Sequence, residues 1–112
     1  MTTLRTSIEL QQPYSEIVNF TRTTTGDTAE TVLTVSSLMV EANKIDFMVD
    51  LFDLFVRFGG TATNADPNTN SILVPAGTGV SMEEIRVTGI ISIINAVAGQ
   101  RGRIRGYICG RG

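Results

Sequence analysis

Apolar and polar positions alternate with a period of two along nearly the whole chain, which specifies strands rather than helices. Residues 4–10 alternate loosely and stop at Gln11, Gln12 and Pro13. Residues 16–24 (EIVNFTRTT) follow as a strand with Val18 and Phe20 on one face, and Gly26 with Asp27 supplies a turn. Residues 30–38 (ETVLTVSSL) set Val32, Thr34 and Ser36 opposite Leu33, Val35 and Ser37, and Asn43 with Lys44 makes the next break. Residues 45–51 (IDFMVDL) place Ile45, Phe47, Val49 and Leu51 on one face, with Asp46, Met48 and Asp50 on the other.

The second half keeps the same period. Residues 54–58 (LFVRF) close at Gly59-Gly60, and residues 61–70 (TATNADPNTN) carry the Asn, Asp and Pro of a loop built from Asx-turns. Short strands follow at 71–74, 80–87 (VSMEEIRV), 89–97 (GIISIINAV) and 103–109 (RIRGYIC), separated by Pro75, Gly77 and the Ala98-Gly99-Gln100 turn. The apolar density between residues 47 and 58 admits a helix, but β-branched and aromatic enrichment favours strands there. The expectation is an all-β fold, a single-domain β-sandwich over residues 1–112 that is jelly-roll-like, with eight or nine short antiparallel strands.

Composition narrows the chemistry. A chain of 112 residues is one domain by length, and can bury roughly two-thirds of its unfolded surface. Thr occurs 15 times, Lys once, and His and Trp never. Cys109 is the lone cysteine, so it makes no intramolecular disulfide and reads as a small buried hydrophobe. No apolar run of signal-peptide length follows Met1, and no window approaches the ~18 apolar residues of a membrane span. Synthesis in the cytoplasm without threading into a bilayer is expected.

Without His there is no Ser-His-Asp or Cys-His arrangement, and the commonest metal ligand is missing. Asp46 and Asp50 share a strand face but stand about 13 Å apart at a strand's rise, too far to share a proton. Adjacent Glu83 and Glu84 are expected on opposite faces of their strand. Residues 66–70 match the opening of a calcium loop. The match fails at Ser71 and Gly77, where that loop needs Gly and a bidentate Glu. The glycine pairs lead into no helix and cradle no phosphate. No enzymatic activity, cofactor or metal is expected.

Two features point outward. Arg101, Arg103, Arg105 and Arg111 give residues 101–112 a charge of +4 (four Arg, no acid), against −6 for the first hundred (five basic, eleven acidic), and −2 overall. Alternation sets Arg101, Arg103 and Arg105 on one face, with no acid in the segment to neutralise them. That suggests docking on an acidic partner surface or, equally, a solvated strand edge. The mild net charge does not point to nucleic acid. Residues 87–100 carry no charge and are apolar on both faces. Burying the second face against another copy of the chain makes Ile91, Ile93 and Val97 an expected oligomer contact, with complete burial in a monomeric core as the alternative.

The order of a strand ending in VRFGG, a Thr/Asn-rich loop, SILVPAG, VSMEEI, an apolar strand and a final RIRGYICG resembles small accessory virion proteins of tailed bacteriophages. The resemblance covers residues 54–110 and rests on turn chemistry; the longer apolar strands and more basic end depart from it. It implies a small β-sandwich head-decoration (cement) or tail-associated protein, often trimeric and without catalysis. The expectation is a homotrimer on the capsid surface of a virion that binds and stabilises the shell of major capsid protein. The alternative is a tail- or fibre-associated carbohydrate-binding or adhesion module. With Tyr14 and Tyr107 as the only aromatics besides five Phe, that alternative ranks second.

Overall fold

The alternating segments form strands, and the way those strands cross between two sheets sets the architecture. A computed structural model describes residues 15–112; the expected strand over residues 4–10 lies outside the described residues. The strands are β1 (Glu16–Thr23), β2 (Glu30–Thr34), β3 (Glu41–Asp50), β4 (Leu54–Phe58), β5 (Ile72–Val74), β6 (Thr78–Val87), β7 (Ile90–Asn95) and β8 (Arg103–Arg111). Two four-stranded antiparallel sheets result, in the orders β1-β8-β3-β6 and β2-β7-β4-β5. Each consecutive pair β1/β2, β3/β4, β5/β6 and β7/β8 passes from one sheet to the other, which is the jelly-roll form of a β-sandwich. The four connecting turns, near residues 24–29, 51–53, 75–77 and 96–102, therefore gather at one end.

The core lies between the sheets. Ile45 and Val49 of β3 and Ile104 and Ile108 of β8 face Leu54 and Val56 of β4 and Ile91 and Ile93 of β7, all with no exposed surface. Each such side chain contributes about 1.5–3 kcal/mol relative to an exposed one. Phe47 and Phe58 meet at 5.9 Å between ring centroids, tilted by 59°, which joins the sheets near the middle.

Several local expectations are corrected. β2 ends at Thr34 because residues 35–37 turn into a short 3-10 helix that buries Val35, whose N–H bonds Gly89 O at 2.6 Å. Asn43 and Lys44 do not end a strand. They lie within β3 at a bulge, where Asn43 Nδ2 donates to Ile85 O at 3.0 Å. Across that bulge Glu84 takes φ 59°, so Glu83 and Glu84 both face solvent instead of opposite sides. Leu51 leaves the core face: with φ 72° it opens the β3–β4 turn and is 56% exposed. Cys109 is buried, as its residue type suggested, and burial pushes its thiol up from the ordinary value.

The uncharged β7 is the largest correction. Ile91 and Ile93 point into the sandwich core, where no second chain can touch them. The outer side of β7 is also covered: Ser92 and Ile94 are both buried, and the β4–β5 loop bonds to Ser92 and Asn95. Ala62 N–H bonds Ser92 Oγ at 2.9 Å and Asn64 Nδ2 bonds the Asn95 carbonyl at 3.1 Å, pinning the loop across the sheet. The loop is itself braced by Asn68, whose Nδ2 donates to Thr63 O at 2.6 Å and whose Oδ1 accepts Ser71 N–H at 2.9 Å. A strand apolar on both faces is covered by its own loop, which periodicity alone does not distinguish from cover by a copy.

Candidate functional site

Register places the side chains on the outer face of the β1-β8-β3-β6 sheet in rows across the strands. Asp46 stands beside Tyr107 on β8 and Ser81 on β6; Met48 stands beside Arg105 and Gly79. One step towards the turn-rich end, Asp50 pairs with Arg103; one step the other way, Lys44 lies between Cys109 and Glu83. All of these side chains point away from the core because Ile45, Phe47 and Val49 occupy the alternate positions of β3.

The charges on this face are matched. Arg103 makes a two-pronged bond to Asp50, Nε to Oδ1 at 2.8 Å and Nη2 to Oδ2 at 2.7 Å, and Arg105 Nη2 reaches the same Oδ2 at 3.1 Å. The Arg103 bond, then the charges of both arginines, holds the Asp50 carboxyl below its ordinary range. Asp46 is likewise lowered, first by the Ser81 hydroxyl and then by the Tyr107 hydroxyl, which donates a hydrogen bond to Asp46 Oδ2. The same bond raises the Tyr107 phenol. Lys44 Nζ sits 5.9 Å from the Tyr107 ring centroid and 3.7 Å from both Asp46 and Glu83, and Tyr107 is the first cause of its raised value.

Between the Asp46 and Met48 rows the face carries a shallow depression of about 390 Å³. Its side-chain lining is Asp46, Met48, Ser81, Arg105 and Tyr107, and Gly79 leaves the gap on the β6 side.

Arg103 and Arg105 share the outer face with Tyr107 as alternation implied, and both pair with the one carboxylate of Asp50 on the neighbouring strand. That acid stands 53 residues away from Arg103 in the sequence, outside the basic segment. Arg101 precedes β8 and lies in the β7–β8 turn, exposed, and makes none of the ion pairs found among the described residues. Val97 is in the same turn and 52% exposed, separated from the buried Ile91 and Ile93. Ala96 N–H bonds Asp53 O at 3.2 Å, which brings Val97 beside the exposed Leu51 and Phe52 of the β3–β4 turn. Asp46 and Asp50 were legible as a shared face; Ser81 and Gly79 were not, because only cross-strand register brings β6 alongside them.

A buried polar latch holds the turn end together. Asn95, with no exposed surface, accepts from Thr24 Oγ1 at 2.5 Å and donates to Gly26 O at 2.9 Å and Asp27 Oδ1 at 3.0 Å. Asp27 also accepts Gly99 N–H at 2.7 Å, and that bond leads the causes that lower its carboxyl. Among the described residues no group of three or more Cys, Asp or Glu side chains is placed to hold a metal ion. No family model matches the chain, and no curated protein or solved structure matches it either.

Proposed function

We propose that the protein is a virion structural protein, a decoration protein that binds the major capsid protein shell as a homotrimer and stabilises it. The observation that carries the proposal is the jelly-roll strand order, a form that viral capsid and lectin domains share. This is an argument from fold analogy, joined to the bacteriophage resemblance over residues 54–110. The turn-rich end supplies the attachment surface: Leu51, Phe52 and Val97 are each about half exposed there, and Arg101, which makes none of the ion pairs found among the described residues, lies in the same turn as Val97. An apolar centre flanked by an arginine is the composition of a protein–protein contact. Of the proposed oligomer contacts, Val97 alone is exposed, which supports a subunit contact at this end too.

Co-sedimentation with shells assembled from the major capsid protein tests the reading. The chain pellets with the shells in fixed stoichiometry and raises their disassembly temperature. Phe52→Asp and Arg101→Ser lower the occupancy without unfolding the chain. A parent chain that stays in the supernatant at every salt concentration refutes the reading.

A further inference from the structure

We propose that the depression on the outer face of the β1-β8-β3-β6 sheet is a binding site for a neutral saccharide, a function beyond capsid attachment and on a different surface. Three observations converge on it.

The first is shape. Gly79 is the second residue of β6, paired with Met48 of β3, and a glycine within a strand often marks close approach of a ligand or another backbone. It is opposite Met48 on the outward side, and the depression of about 390 Å³ opens at that row. That volume is within the range of small-molecule sites, roughly 300–1,000 Å³. Nothing in the backbone forces glycine here: its φ is not in the left-handed region, and an added Cβ would meet only Phe47 O at 3.8 Å, an ordinary contact.

The second is chemistry. The lining offers an aromatic ring (Tyr107), an apolar floor (Met48), a carboxylate acceptor (Asp46), a hydroxyl (Ser81) and a guanidinium donor (Arg105). A pyranose has one apolar C–H face and a rim of hydroxyls that both donate and accept, and this set matches it. Tyr107 is pre-set for stacking: its hydroxyl is fixed on Asp46, and Lys44 lies one row away on the side opposite the depression. Asp46 accepts from Tyr107, and Ser81 lowers its carboxyl, so it is held ionised as an acceptor with further lone-pair capacity for ligand hydroxyls.

The third is charge. The lining carries one negative and one positive side chain, Asp46 and Arg105, and Asp50 already engages Arg105. No net positive charge is left to select a phosphate, sulfate or carboxylate, so the ligand class is uncharged sugar. The scarcity of aromatics in the sequence hid this site, because one tyrosine suffices when register sets it beside an acid and a gap.

The test is an amide-shift titration of the full chain with glucose, galactose, mannose and N-acetylglucosamine, each to high millimolar concentration. The expected result is a saturable shift of the Asp46, Gly79, Ser81 and Tyr107 amides with at least one sugar. Gly79→Leu fills the depression from an exposed position and should weaken that binding by about tenfold or more, the loss of one good anchor. Tyr107→Phe keeps the ring but frees Asp46, and should weaken binding less than Tyr107→Ala. If none of the four sugars shifts these amides, or if Gly79→Leu binds like the parent, the proposal is overturned. Failure here leaves capsid attachment untouched, because that maps to the turn-rich end and is read by sedimentation.

Discussion

Replacing Asn95 with Ala removes a side chain that has no exposed surface and three hydrogen bonds. The largest consequence falls on Thr24. It is 2% exposed, and its hydroxyl hydrogen-bonds to Asn95. A buried hydroxyl left without a partner costs about 1–3 kcal/mol, and the bond to the Gly26 carbonyl adds about 0.5–1.5 kcal/mol. Asp27 is solvent-exposed and finds water, so its lost bond is given no weight. The sum is about 3 kcal/mol, a large share of the ~5–15 kcal/mol that holds a domain of this size. Urea denaturation followed by circular dichroism should show the midpoint fall with an unchanged slope. The discriminating arm is the double variant Thr24→Val with Asn95→Leu. Removing both polar partners should recover much of the loss, because the cost lies in the orphaned hydroxyl and not in the bond itself. A loss below about 0.5 kcal/mol for Asn95→Ala, or a double variant no better than the sum of the singles, refutes the latch.

Other substitutions separate packing from surface roles. Gly106→Ala should leave little soluble folded protein, since its Cβ would lie 2.6 Å from Phe47 Cα in a strand bonded on both sides, whereas Gly26→Ala, with nothing within 4 Å, should fold. Ile93→Asp should unfold the chain rather than dissociate an oligomer, measured by circular dichroism beside light scattering, because the carboxylate would enter the core. Light scattering on the unmodified chain should give a trimer mass, and a monomer at micromolar concentration contradicts the homotrimer. Acid should destabilise the fold. Asp27, Asp46 and Asp50 have folded values below the unfolded ones, so the stability they add is full above the ordinary carboxylate range near pH 4 and is lost as pH falls through the depressed values. A melting temperature that does not fall between pH 5 and about pH 2 contradicts that assignment.

What the sequence revealed and what it hid follow from the range of each interaction. Alternation is local, so the two faces of β3 were legible from Ile45, Phe47 and Val49 against Asp46, Met48 and Asp50. Bulges are also local but have no period, and Lys44 and Glu84 looked like a break and a continuation when each belongs to one bulge. Long-range pairing was not legible. Asp50 is separated from Arg103 by 53 residues, and Asn95 from Thr24 by 71, so neither the ion-paired arginines nor the latch could be read along the chain. The cover over Ser92 came from a loop whose polar composition gave no sign that it packs on a sheet.

The proposed role is tested most directly by a cryo-electron microscopy map of capsid shells incubated with the purified chain. The account predicts ordered jelly-roll density at regular lattice positions, in threefold clusters, with Leu51, Phe52, Val97 and Arg101 against the shell and the Tyr107 face towards solvent. Shells that remain bare at saturating protein, or density that docks through the Tyr107 face, contradict it.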